Sequence, residues 1–221
     1  MTAEIKSYRT IAGAGTNEMT IKKSRFITSM QRCNSTAEAE QFIAKIKKQY
    51  HDATHNTFAY RIGNLEKASD NGEPQGTAGV PELTSLRLMK LTNVASVVTR
   101  YFGGIKLGAG GLVRAYANSV TNCAEKIGLV VCRTQLLLTF SCNYHQLGLV
   151  QNYLRQNEIA VAKTDYGSAV TWQIYLDADP DLVQKTSVEL SDLLSRPVNL
   201  KKLATSFREI PLSKAKKIKL G

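Results

Sequence analysis

SDNGEPQGTAGVPELTSLRLMKLTNVASVVTRYFGGIKLGAGG, residues 69–111, concentrates the most unusual chemistry of the chain. Its first half sets two carboxylates, Asp70 and Glu73, in a loop broken by Gly72, Pro74, Gly76 and Gly79. A helix is expected to start near Thr77–Pro81, since proline is tolerated in a first turn, and to run to about Leu91. Asn93–Phe102 reads as a strand of Val94, Val97 and Val98 with Arg100 near its exit. Gly103–Gly111 holds five glycines and Lys106. A helix to about Ile127 follows, with Val113, Ala117, Val120, Ala124 and Ile127 as its buried stripe and Arg114, Asn118, Thr121 and Glu125 as a polar one. The two loops are expected at opposite ends of this strand-and-helix unit.

The glycine loop suits an anion. Glycines let backbone N–H groups approach phosphate closely, and a helix N-terminus adds partial positive charge. Gly108, Gly110 and Gly111 lie where that helix begins, and Arg100, Lys106 and Arg114 can surround the same spot. It is neither a P-loop, lacking G-K-[ST], nor a dinucleotide fingerprint. A tight turn with close helix–strand packing explains the glycines equally well. Asp70 and Glu73 suit a divalent cation or an acid–base pair; a turn at Asp70-Asn71-Gly72, with Glu73 capping a helix or pairing an arginine, is the plainer alternative. No nucleophile constellation stands out around Ser24, Ser69, Ser85 or Cys123. Tyr101 and Phe102 could stack a base or belong to the core.

Upstream, residues 4–12 and 19–31 carry strand signals, and Lys22, Lys23 and Arg25 cluster at the second. They suit an anion or a solvated edge. Ser35–Glu38 is a capping-box pattern before a helix with Ala39, Phe42, Ile43, Ile46 and Tyr50 on one face. His51 and His55 are four apart, but a helix ends and a strand begins between them, so a histidine packed at a strand start is favoured over a metal site. Asn56–Ile62 alternates as a strand bearing Arg61, and Gly63–Gly76 is left as one long loop.

From Arg133 the succession is β-α-β-β-α-β, the ferredoxin-like split βαβ pattern. Asn143 with Gln146, and Asp179 before Pro180, mark its helix starts. The fold class is therefore α+β in two domains, residues 1–130 and 131–212, with a basic tail at 213–221 expected to be disordered.

Hydrophobic content of 43% excludes a disordered composition, and no apolar run approaches the ~18 residues of a spanning helix. The first residues lack the apolar core of a signal peptide, so a cytoplasmic location and no membrane partner are expected. Cys33, Cys123, Cys132 and Cys142 form no C-x-x-C pair and read as buried thiols without disulfides. Of the net charge of +11, residues 1–130 carry 17 Lys/Arg against 10 Asp/Glu, residues 131–213 are balanced at 8 each, and the tail adds four lysines. The basic first half suits a phosphate-bearing partner, or serves solubility alone.

SDNGEPQGTAGVPELTSL and VVTRYFGGIKLGAGGLVRAYANSV resemble the YigZ/IMPACT family. The usual loop there is S-D-D-G-E-P-x-G-T-A-G-x-P, and Asn71 stands at its second aspartate. KKSRFI, His55 and Ala59-Tyr60-Arg61 also resemble the family. The resemblance covers nearly the whole chain and implies a two-layer α/β N-terminal domain like domain IV of elongation factor G, followed by a domain like its domain V. It also implies a signature loop carrying Ser69, Asp70, Glu73, Gly76 and Thr77, and an RNA or ribosome partner. Eukaryotic IMPACT relatives regulate an initiation-factor kinase through a partner protein, using a further domain.

Three functions compete. The first is a cytoplasmic RNA- or ribosome-associated binding protein acting in translation or its regulation, with Lys22, Lys23, Arg25, Arg61, Arg100, Lys106, Gly108, Gly110, Gly111 and Arg114 as the candidate anion or nucleic-acid contacts. The second is an enzyme on a small phosphorylated or nucleotide substrate, with phosphate at 103–111 and Mg²⁺ or a proton at Asp70 and Glu73. The third is a protein-interaction regulator using the 63–76 loop. The first is preferred, with no cofactor and no resident metal expected.

Overall fold

The computed structural model describes residues 7–212, in two compact units that part between Val131 and Cys132. The predicted disordered tail at 213–221 and the start of the first predicted strand lie outside the described residues.

In the first unit, β1 (Tyr8–Ile11) precedes the hairpin β2 (Gly15–Ile21) and β3 (Ser24–Arg32). Then come α1 (Thr36–Gln49), β4 (His55–Ile62), β5 (Leu65–Ser69), α2 (Gly79–Leu88), β6 (Val94–Tyr101) and α3 (Ala109–Ile127). The sheet has the order β2-β3-β6-β4-β5, antiparallel throughout. The expected single strand over 19–31 is thus a hairpin turning at Lys22-Lys23, both left-handed at φ 45° and 65°. The expected long loop at 63–76 likewise contains β5, paired with β4 behind the Gly63-Asn64 turn.

Helices cover both faces of this sheet, which corrects the two-layer expectation. Ala95 and Val97 of β6 pack under Phe42, Ile43 and Ile46 of α1. Val94 and Val98 pack on the other side with Leu86 of α2 and with Tyr116 and Val120 of α3. VASVVT is a continuous apolar run because its strand is covered on both sides. Ser35 caps α1 by accepting the Glu38 amide, and Glu38 reaches back to the Asn34 amide. The buried face of α3 is Leu112, Ala115, Tyr116, Ser119, Val120, Cys123 and Ala124. Of the predicted stripe, Val120 and Ala124 are buried and Ala117 and Ile127 half-buried, while Val113 is exposed.

The second unit follows along β7 (Leu129–Cys142), whose first three residues belong to the first unit and which also pairs with β1. A short 3₁₀ turn leads into α4 (Leu147–Gln156), then β8 (Ala160–Tyr166), β9 (Val170–Asp177), α5 (Pro180–Leu194) and β10 (Lys201–Pro211). The strand order β10-β7-β9-β8 is that of a split βαβ unit. Val150, Leu154, Leu190 and Leu194 of the helices cover Leu138, Phe140, Trp172 and Ile174 of the sheet. Asn143 and Gln146 form a reciprocal cap, and Asp179 caps α5 by accepting the Asp181 amide. A cavity of about 620 Å³ opens beside Tyr153, Tyr175, Leu182 and Arg208.

All four cysteines are buried as thiols. Burial pushes Cys33 and Cys123 up to about 11. The Trp172 indole N–H donates to Cys142 Sγ at 3.3 Å.

One buried carboxyl marks how the first unit is held. Glu82 of α2 is 0% exposed and touches Thr57 of β4 and Ser96 of β6, the latter at 3.1 Å. Burial pushes it well above the usual carboxylate range, against the opposing pull of those two hydroxyls, and Asp70 raises it further. Thr57 has one proton and two neighbours that need it, Glu82 and the Val98 carbonyl at 3.2 Å. A protonated Glu82 resolves this by donating to Thr57, which then donates to Val98. The folded chain therefore keeps a proton that the unfolded chain releases above the ordinary carboxylate value. The stability this gives is fully present below that value and declines as pH rises toward the raised one. Glu82→Gln should flatten the stability-against-pH curve across that window, measured by urea unfolding; an unchanged curve would refute a neutral Glu82.

Candidate functional site

His55, Arg100 and Phe26 lie directly across from one another on β4, β6 and β3, so their side chains share one sheet face. Over them folds the loop 70–78. Glu73, buried, accepts from Arg100 Nη1 at 2.6 Å and from the Tyr116 hydroxyl at 2.6 Å, both on Oε1. His55 Nε2 stands 3.9 Å from the same oxygen, and its Nδ1–H donates to the Asn71 carbonyl at 3.2 Å. Burial first, and the Glu73 carboxylate second, push the Tyr116 hydroxyl far above its ordinary value, so it remains a donor. Arg100 also donates to Ser24 Oγ at 3.3 Å and lies 5.4 Å from the centroids of both Phe26 and Phe102. Its Nε is buried without a hydrogen-bond partner.

Asp70 does different work. Its Oδ1 accepts the Ala78 and Gly79 amides at 3.0 and 2.9 Å, and its Oδ2 accepts the Gly76 amide at 2.8 Å. The residue at the N-cap of α2 is Ala78, which has no side chain to cap with. Asp70 supplies that cap from eight residues upstream, with its negative charge at the positive end of the helix. Thr77 turns back to the Pro74 carbonyl at 2.6 Å, and Ser69 Oγ accepts the Asn71 amide at 3.3 Å. Asn71 is left-handed at φ 41°, a conformation asparagine tolerates, and its backbone carbonyl holds His55. An amide in place of the family's aspartate therefore preserves this turn.

Both signature carboxylates thus hold the fold together. Asp70 is engaged by three amides and Glu73 by Arg100 and Tyr116, so neither stands ready as a metal ligand or a proton shuttle. The two loops also meet at one end of the sheet, contrary to the expected opposite ends: Glu73 bridges the exit of β6 and Tyr116 of α3.

The glycine loop divides between packing and openness. A Cβ on Gly103 would stand 2.0 Å from the Lys23 backbone carbonyl carbon, so Gly103 lets the β2–β3 tip seat against the loop, where its amide donates to Ser24 Oγ at 3.2 Å. Gly108, at φ 76°, and Gly110 have nothing within 4 Å of an added Cβ. No side chain caps α3, and its first turn holds no acid.

Of the candidate contacts, Lys22, Lys23, Lys106 and Arg114 are exposed; Lys106 and Arg114 lie on either side of this turn in the chain with Gly108, Gly110 and Gly111 between them, and the Lys22-Lys23 tip lies against Gly103. Three do not offer a free charge there. Arg25 is held by Glu18 at 2.7 and 2.9 Å, on the sheet face opposite to Arg100. Arg61 sits at the far end of β4, bound to Glu66 at 2.6 Å and to the Leu91 carbonyl at 2.8 Å. Arg100 is buried. The pairing of Glu73 with an arginine, the plainer alternative for that loop, is what the structure shows, through Arg100. Ser24, considered only as a nucleophile, serves instead as a hydrogen-bond partner of Arg100 and Gly103, and Tyr116 and Glu82 carried no signal in the sequence.

Glu73 and Arg100 form an ion pair removed from water, so truncating one partner strands the other. Glu73→Ala and Arg100→Ala should each cost about 3–5 kcal/mol in chemical denaturation, with the double variant costing less than the two added. Strict additivity would show that the pair is not coupled.

Two family models match the chain: the Impact N-terminal domain over residues 22–124, and a domain of unknown function, DUF1949, over residues 140–185. The IMPACT family member YvyE of Bacillus subtilis is 45% identical over 176 residues, covering 78% of this chain and 81% of that one. The IMPACT family member YigZ of Escherichia coli is 34% identical over 177 residues, covering 78% and 86%. A crystal structure of a hypothetical protein aligns at TM-score 0.56 with 31% identity, covering 90% of this chain and 98% of that one.

Proposed function

The chain belongs to the IMPACT family, and on that footing we propose that it is a cytoplasmic RNA- or ribosome-associated binding protein acting in the regulation of translation. The observation that carries this reading is the start of α3, which no side chain caps, with exposed Lys106 and Arg114 on either side of it in the chain and the exposed Lys22-Lys23 tip against Gly103 of the same loop. A first turn with no side-chain cap and no acid, in a loop that carries an exposed lysine, suits phosphate oxygens. The surplus of basic residues in the first half points the same way. The ribosome enters through the family resemblance, which pairs an α/β unit like domain IV of elongation factor G with a unit like its domain V.

The enzyme alternative is less favoured, because Asp70 and Glu73 are engaged in contacts within the fold. The regulator alternative keeps the 70–78 loop as a rigid surface, to which a protein partner could bind.

Binding of a short RNA, followed by fluorescence anisotropy, should weaken linearly on a log–log plot between about 50 and 200 mM salt. Lys22→Ala, Lys23→Ala and Lys106→Ala should each lower that slope by roughly 0.7–0.9 if each meets one phosphate. Lys48→Ala, on the outer face of α1, should not change it. Absence of binding at low salt would overturn the proposal.

A further inference from the structure

Phe102 is 46% exposed and Ile105 is 42% exposed, in a loop that also carries the exposed Lys106. An aromatic ring left in water at a basic edge calls for an explanation. Its surroundings make it rigid. The Phe102 amide donates to Thr54 Oγ1 at 3.0 Å, fixing the backbone from β4's approach. Gly103, the next residue, is locked against the Lys22-Lys23 tip. The ring is backed by the Arg100 guanidinium, 5.4 Å from its centroid. Arg100 is in turn immobilised by Glu73 and Ser24, so the backing cation cannot swing out to solvent.

We infer that Phe102 is a stacking platform for one unpaired base, and that the RNA bound at this edge is single-stranded. The inference rests on the RNA reading above and adds the form of RNA that the site takes. The buried guanidinium occupies one side of the ring and leaves its exposed part to a partner. A nucleobase presents a flat π-face that such a ring can cover without reading sequence. Lys106 follows four residues later in the same loop, and the Lys22-Lys23 tip lies against Gly103, so cations flank the platform where a backbone leaving a stacked base needs them. A duplex hides its base faces inside the stack and could use only the cations. The buried Glu73–Arg100–Tyr116 cluster gains a purpose beyond stability: it holds the cation that backs the platform.

The test compares a 12-nucleotide oligouridine with an RNA duplex of equal length at fixed low salt. Wild-type protein should favour the single strand. Phe102→Ala should weaken oligouridine binding by roughly 5- to 150-fold, the range expected for one lost stack, while the salt slope stays at its wild-type value. Phe102→Trp should retain the affinity. Because the ring is half-exposed, thermal unfolding of the Ala variant should match wild type, which separates lost stacking from lost folding. Unchanged oligouridine affinity in Phe102→Ala, with the salt slope still lowered in Lys106→Ala, would overturn the platform and leave RNA binding standing. Equal affinity for duplex and single strand would do the same. No binding of either RNA by wild-type protein would overturn both readings together.

Discussion

A carboxylate and a guanidinium meeting out of water impose the strictest condition on the first unit. Glu73 and Arg100 sit 27 residues apart in the chain, and each is acceptable inside only because the other is there. Their contact requires loop 70–78 to close over β6. It brings Tyr116, and with it α3, onto the same oxygen. Through Ser24 it also fixes the β2–β3 tip and the first glycine of the following loop. Four segments distant in sequence are thus placed by one shared charge pair.

Asp70, Glu73 and Glu82 all look inward, each with a separate duty. Asp70 charges and caps the start of α2, Glu73 anchors the loop to the sheet, and Glu82 crosses from α2 to β4 and β6 as a neutral acid. The outward chemistry of this edge is left to lysines, open amides and one aromatic ring. On the proposed reading, a surface of that kind binds by charge and shape.

Much of the architecture was legible because it follows from local rules. The Ser35 cap, the Asp179-Pro180 start and the alternation of Val170, Trp172, Ile174 and Leu176 each state their element within a few residues. The β2–β3 hairpin was hidden because its turn is Lys-Lys, with no glycine or asparagine to advertise left-handed residues. β5 was hidden because LEKAS is short and polar and gains its pairing from β4. The candidate site was only half legible. Exposed lysines and open glycines announce themselves, whereas whether an arginine is free or buried depends on a partner brought from elsewhere by the fold. Arg61 and Arg100 look alike in sequence and part company only through Glu66 and Glu73.

The cysteines carry a consequence of their own. A buried thiol meets a reagent only when its surroundings open. Cys33 and Cys123 lie in the core of the first unit and Cys142 in that of the second. Labelling rates at these native positions therefore act as clocks, timing how often each half of the molecule breathes without any reporter having to be introduced.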